Sequence, residues 1–375
     1  MLLLAGLLTV YTASFAVGHL EFGDANYFVI RHAFYAIAGG VALLYFMRLD
    51  YHQLRHLAAP IMVVALLGLA AVLIPGIGVE RNGARRWLEL GPISFQPSEF
   101  AKLATIIYIS AWLAGRRENI NKFSLGLVPF VLMVSVVGGL VIVEPDMGTA
   151  VIIVLTTSTL FFVAGAPLSH LTLLMASGGL VTYVMILAQD YRLDRLTSFV
   201  SPEADPQGNG FQILQLLIAL GSGGVTGLGW GVSRQKFFYV PGAHTDGVFA
   251  IIGEELGFIG LLGVLGLFAF FMFRALKATL ASRDQFGTLL GVGIVSWIAY
   301  QTLINIGGIT RSIPLTGVPL PFLSYGGSAL IAVMAGAGIL LSISRYGRNS
   351  SHTEQPKARA RRYARRNPAA GRSTV

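Results

Sequence analysis

Asp246 stands at the seam between a long polar stretch and an apolar run, within Pro241-Gly242-Ala243-His244-Thr245-Asp246. A carboxylate at such a boundary is partly desolvated, which raises its pKa and suits it to general-base work. Aspartate is equally favoured as a helix N-cap, and a cap carboxylate keeps one oxygen free, so the two roles are compatible. His244 lies two residues earlier and invites a hydrolase triad, but no Gly-x-Ser-x-Gly elbow accompanies it. It reads as a loop hydrogen-bonder.

Other charged residues sit where water is scarce. Glu99 and Lys102 are three apart in an apolar run and share a helical face, as a structural ion pair or as the lining of a cavity. Glu144-Pro145-Asp146 fits a short turn whose aspartate caps the next helix or ligates a metal. Glu254 and Glu255 lie about two turns into the run after Asp246 and need either a buried partner such as an arginine or a place in a proton relay. Ser324-Tyr325-Gly326-Gly327-Ser328 opens the last helix, where free amides can bind a phosphate or glycine can serve a re-entrant turn. The glycine-rich stretch 221–231 has no Lys-Ser/Thr after it and is no nucleotide P-loop.

The elements that position these residues follow from composition. Of 375 residues, 54% are hydrophobic, only 12% are charged and none is cysteine, with a mean hydropathy of +0.68. A soluble domain carries about 25% charged residues. An ordinary cytosolic enzyme, a disordered chain and a disulfide-stapled secreted domain are excluded. The 45 glycines suit helices that approach closely in lipid. The chain reads as an all-α polytopic membrane protein with about ten transmembrane helices, near 1–17, 34–47, 57–74, 97–114, 124–143, 149–164, 168–188, 248–276, 286–306 and 328–344. The first is short at its start and lacks a basic leader, and Tyr11 and Thr12 argue against a cleaved signal peptide.

The net charge of +9 is concentrated after residue 344, where nine basic residues face Glu354 alone. This organises the chain as a membrane domain, 1–346, and a disordered basic tail, 347–375, drawn to anionic cytoplasmic lipid. With the tail inside, short inner loops hold Arg48, Arg55, Arg116, Arg117, Lys122, Arg274, Lys277 and Arg283, so both termini are cytoplasmic. One long extracellular loop, about 189–247, then lies between helices 7 and 8. A second outer segment, 76–96, gathers Arg81, Arg85 and Arg86 around Trp87. Cations collected outside, against the topological preference, point to an anionic ligand, or else to surface anchoring.

Seven stretches together carry a family resemblance. They are Asn82-Gly83-Ala84-Arg85-Arg86-Trp87, Gln96-Pro97-Ser98-Glu99-Phe100-Ala101-Lys102-Leu103, Glu144-Pro145-Asp146-Met147-Gly148-Thr149 and Asp205-Pro206-Gln207-Gly208. Next come Ala243-His244-Thr245-Asp246, Ile252-Gly253-Glu254-Glu255-Leu256-Gly257 and Pro319-Leu320-Pro321-Phe322-Leu323-Ser324-Tyr325-Gly326-Gly327-Ser328. In this order, over residues 2–345, the chain resembles the SEDS family (shape, elongation, division and sporulation). Ser233-Arg234-Gln235-Lys236 and Ile251-Ile252-Gly253-Glu254-Glu255 look closer to its FtsW/SpoVE branch than to RodA.

The resemblance implies an inverting peptidoglycan glycosyltransferase that polymerises lipid II at the outer face of the bacterial cytoplasmic membrane, for division or cell shape; a lipid II flippase is the alternative. It maps the catalytic aspartate onto Asp246, with Arg86, Glu99, Lys102, Arg234, Lys236, His244, Ser324, Gly326 and Gly327 as substrate-binding candidates. Asp146 would be the ligand of a divalent cation, Mg or Mn, and no organic cofactor is expected. Implied partners are an undecaprenyl-pyrophosphate-linked glycan, a class B penicillin-binding protein with transpeptidase activity, and division or elongation complex proteins, but no nucleic acid. Gly242, where the family often has glutamate, and Gly247, where it often has phenylalanine, depart from the pattern.

Overall fold

A backbone crossing lipid finds no water for its amides and must close its hydrogen bonds internally, which the apolar runs do as helices. The computed structural model describes residues 1–366 apart from 82, 92, 117, 188, 189, 209 and 238, with side chains described except at 81, 90, 93, 186, 190–192 and 347–366. Asn82, Arg117, Gln189 and the end of the tail, 367–375, therefore lie outside the described residues, as do the side chains of Arg81, Asp190 and Arg192.

The helices are α1 (Leu2–Phe22), α2 (Tyr27–Arg48), α3 (Tyr51–His56), α4 (Ala58–Leu73), α5 (Pro97–Ala114), α6 (Val128–Val143) and α7 (Met147–Val163). They continue as α8 (Leu168–Leu187), α9 (Asp190–Val200), α10 (Phe211–Ser222), α11 (Val248–Leu280), α12 (Gln285–Ile309) and α13 (Gly327–Arg366). Among the described residues, seven stretches are long and apolar enough to cross a membrane: α1, α2, α6 with the π-turn before it, α8, α11, α12 and the first half of α13. Apolar α4 and α7 have 16 and 17 residues, and α5 carries Glu99 and Lys102, yet all three pack into the common core with α12 and α6. Every expected span is a helix, and the chain is a multi-pass membrane protein.

Local chemistry sets the helix starts. Asp50, Asp146 and Asp284 accept backbone N–H bonds from His52, Thr149 and Gly287 at the starts of α3, α7 and α12. Pro97 opens α5, where its missing N–H costs nothing. The N-cap position of α11 is Gly247, not Asp246. The cap role open to Asp246 in the sequence is not taken up.

Three departures from the sequence reading matter. The segment before α5 is a small antiparallel sheet, β1 (Gly78–Arg81), β2 (Ala84–Leu90) and β3 (Ile93–Phe95), so the fold is not purely helical. Asn82-Gly83 is a hairpin signal in the sequence. The long loop is built from α9, a turn at Pro202–Ala204 and α10. The last helix continues along its backbone to Arg366, over most of the stretch expected to be a disordered arm; that stretch is rich in Arg and Ala, which favour helix.

Helix α11 breaks at Gly257, whose φ of 65° and ψ of −166° interrupt the ladder. The freed groups find partners in the glycine-rich loop: Leu228 and Gly229 donate to the Glu254 and Glu255 carbonyls at 2.9 and 3.0 Å, and Phe258 and Ile259 donate to Gly224 and Val225 at 2.9 and 3.1 Å. A Cβ on Gly257 would lie 2.3 Å from the Gly227 nitrogen, so only glycine allows this approach.

Candidate active site

Two clefts, of about 380 and 280 Å³, open at one end of the bundle and share two wall residues, Asp246 and Gly317. Asp246 reaches this wall because the turn 242–247 is pinned from α12. The Asn305 amide donates both to the Asp246 carbonyl and to the Val318 carbonyl, each at 2.8 Å. Thr245 Oγ1 donates to Asp246 Oδ1 at 3.0 Å, and Oδ2 faces Gly317. Burial pushes the Asp246 carboxyl above the usual range, while the Thr245 hydroxyl and the positive charge of Arg195 pull it back. A carboxylate with a raised pKa and one oxygen toward open space is a competent general base.

His244 lines the smaller cleft, with its ring 4.5 Å from that of Phe28 and 5.6 Å from that of Tyr325. Burial lowers its imidazole to about 4, so it is neutral near pH 7. Its carbonyl accepts the Tyr325 N–H at 2.8 Å, which ties the Asp246 turn to the segment leading into α13. Gly326 and Gly327 line the same cleft. Ser324 does not: it is buried, and its hydroxyl accepts the Leu320 N–H at 2.8 Å to close a turn. It lines neither cleft.

Arg86 on β2 faces the smaller cleft and also clamps the α6–α7 turn. Its Nε donates to the Glu144 carbonyl at 3.0 Å, and a terminal nitrogen donates to the Pro145 carbonyl. The Glu144 side chain is buried with neither carboxylate oxygen bonded, and burial with the neighbouring Asp146 charge pushes it up to about 8. Asp146 spends Oδ1 on its cap and receives Gln96 Nε2 on Oδ2 at 3.4 Å. Among the described residues no three His, Cys, Asp or Glu side chains cluster as a metal site. Asp146 keeps lone pairs beyond these two bonds, but among the described residues it lacks the further acidic or imidazole ligands that would hold a resident divalent cation.

Glu99 touches the smaller cleft, but Lys102 does not. Lys102 Nζ lies 2.8 Å from Glu99 Oε1 and 2.8 Å from Gln301 Oε1, buried against Trp297. This buried ion pair uses two of the three N–H donors of the ammonium and lies behind the cleft wall. Lys236 is likewise buried, donating to Glu255 at 3.1 Å and to the Gly231 carbonyl at 2.6 Å. Glu254 accepts the Ser233 hydroxyl and the backbone N–H of Arg234, the latter at 2.8 Å. The partner of the Glu254-Glu255 pair is thus a lysine and a loop backbone, and Arg234 and Lys236 line neither cleft.

The structure brings together Asp246, His244, Arg86, Glu99, Asp146, Gly326 and Gly327, and leaves out Lys102, Arg234, Lys236 and Ser324. It adds Arg31 and Tyr35 from α2 and Gln96 to the smaller cleft, and Arg195 from α9 to the larger. Arg31 carried a signal in the sequence as an arginine within an apolar run. Arg195 carried none beyond its charge.

Comparison with known proteins places this arrangement. A family model described as "Cell cycle protein", covering FtsW, RodA and SpoVE, matches residues 1–349. The chain is 43% identical over 348 residues to stage V sporulation protein E of Bacillus subtilis, covering 93% of this chain and 95% of that one. It is 40% identical over 343 residues to the probable peptidoglycan glycosyltransferase FtsW of Trichlorobacter lovleyi, covering 90% and 89%. Among solved structures it superposes on a chain from a study of polymerization and crosslinking by a peptidoglycan synthase complex, with a TM-score of 0.74 and 31% identity over 91% of this chain and 97% of that one. The rod shape determining protein RodA of Thermus thermophilus follows, with a TM-score of 0.64 and 29% identity over 90% and 94%. A bundle matched over nearly its whole length by both sequence and structure, with the aspartate turn intact at its mouth, belongs to the FtsW/RodA/SpoVE family.

Proposed function

We propose that this chain is a peptidoglycan glycosyltransferase that joins lipid II units into glycan strands. The observation that carries this reading is the place of Asp246, on the wall shared by two clefts, where a carboxylate can meet two substrates at once.

The smaller cleft, with Arg31 and Arg86, suits the diphosphate of a growing undecaprenyl-pyrophosphate-linked strand. The larger takes the acceptor sugar. Asp246 removes the proton from the acceptor 4-hydroxyl as that oxygen bonds to the anomeric carbon of the donor. The bond from that carbon to the diphosphate breaks, and the leaving group departs with its electron pair toward the arginines. Displacement from the opposite face inverts the anomeric centre.

The Asp246 end of the bundle is then the extracytoplasmic face, and the end carrying Asp284 and Tyr51 is cytoplasmic with both termini. A class B penicillin-binding protein would crosslink the strands made here, in keeping with the joint polymerization and crosslinking described for the similar synthase complex. The test is polymerisation of purified lipid II by the purified chain, with and without that partner. Asp246→Asn is expected to stay folded and to lose at least about a hundredfold in rate. Normal strand synthesis by this variant would overturn the base assignment, and a chain that moves lipid II without polymerising it would favour the flippase.

A further inference from the structure

Two arginines fasten α9 to the wall of the larger cleft. Arg311, in the turn that follows α12, donates through Nε to the Phe199 carbonyl at 3.0 Å and through Nη2 to the Val200 carbonyl at 2.9 Å. These are last-turn carbonyls of α9, unpaired within the helix and at the negative end of its dipole, so a guanidinium suits them twice over. Nη1 of Arg311 also donates to Glu203 Oε1 at 3.3 Å. Arg311 itself has φ 55°, a left-handed conformation that a non-glycine keeps only where its surroundings hold it. About one helical turn earlier, Arg195 Nη1 donates to the Leu315 carbonyl at 3.4 Å, two residues from the shared wall at Gly317. Arg195 and Asp246 both line this cleft.

We propose that Arg195 is the positioning cation of Asp246: the Arg311 clamp on α9 carries its guanidinium into the larger cleft, where its charge keeps Asp246 as the carboxylate that accepts a proton. The inference rests on Asp246 being the base. Burial alone would favour the protonated, inactive acid, and the charge of Arg195 opposes that rise. Among the described side chains of α9, the other charge lining the cleft is Asp194, of the opposite sign. On the side of the smaller cleft stand the acids Glu99 and Asp146, the cations Arg31 and Arg86, and neutral His244. Arg86 is already committed to the Glu144-Pro145 turn, and from α12 Asn305 offers only a neutral amide. The long segment before α11 thus completes the electrostatics of the base.

The experiment is the pH profile of lipid II polymerisation by the full chain. A base works only when deprotonated, so the rate falls on the acid side, and removing a favourable cation moves that fall to higher pH. Arg195→Gln is expected to lose about tenfold more on the acid side than on the alkaline plateau, and Arg195→Lys, which keeps the charge, to recover most of that difference. Arg311→Gln, which releases α9 without touching the cleft charge, is expected to displace the acid side in the same direction. An equal loss at every pH for both Gln variants, or profiles that superpose on the parent, would overturn the proposal. Asp246→Asn separates the two layers. Activity in that variant defeats the base reading itself, whereas its inactivity beside an unmoved Arg195→Gln profile defeats the role of Arg195 alone.

Discussion

The ammonium of Lys102 sits 2.8 Å from the Glu99 carboxylate, one turn apart on α5, and both side chains are buried. Removing one member strands the other charge in a medium that cannot solvate it. Lys102→Met is expected to cost about 3–5 kcal/mol of stability. The double variant Glu99→Leu/Lys102→Met should recover much of that loss. Denaturation of the detergent-solubilised chain reads both, and a Lys102→Met protein as stable as the parent would refute the pairing.

Arg86 does something a lysine cannot. Its planar fork donates to two successive carbonyls, Glu144 and Pro145, while facing the smaller cleft. Arg86→Lys keeps the charge and loses the fork, at a cost of about 1.5–3 kcal/mol in transition-state stabilisation. The specificity constant for polymerisation should fall by about tenfold or more, measured with lipid II as the sole substrate.

Glu144 makes stability depend on pH in a definite direction. Its carboxyl is pushed up from 4.5 to about 8 by burial and by the Asp146 charge, with Arg86 opposing. Between those values the folded chain holds a proton that the unfolded chain has released. The contribution is full below the unfolded value and is lost as pH rises through about 8. Glu144→Gln should therefore melt several degrees higher than the parent near pH 9 and differ little near pH 5, read by thermal unfolding.

Gly242 guards the base by having no side chain. Its φ is 68°, and a Cβ there would lie 2.4 Å from Asp246 Oδ1. Gly242→Ala is expected to displace the carboxylate and to cost about 1–2 kcal/mol in backbone strain. Polymerisation should drop by well over tenfold, since small misplacement of a catalytic group is costly. Assay of strand synthesis beside a melting curve separates the two effects.

Much of this architecture was written in composition and order. The ten apolar runs are ten helices, and Asp146 and Asp284 cap two of them because short acidic side chains fit free amides. Asp246 was legible as a carboxylate at a polarity boundary, and the resemblance implied its role. What the sequence hid was connectivity in space. Lys236 and Arg234 looked like free cations of an outer loop, yet the former is the buried partner of Glu255 across a helix break that only the fold of the 224–229 loop reveals. Lys102 carried the right charge three residues from Glu99, but one-dimensional spacing cannot say which member faces the cleft. The sheet at 78–95 escaped because its strands are short and their pattern lies among charges. Arg195 escaped because its meaning comes from a guanidinium on another element, Arg311, over a hundred residues away.

The Asn305 amide has a mechanical consequence. One side chain, rooted in α12, grips the backbone of Asp246 and that of Val318 together. Asp246 and Gly317, the neighbour of Val318, stand on both openings, so this one side chain links the two segments that border them. A tilt of the upper part of α12 is therefore expected to move both doorways together.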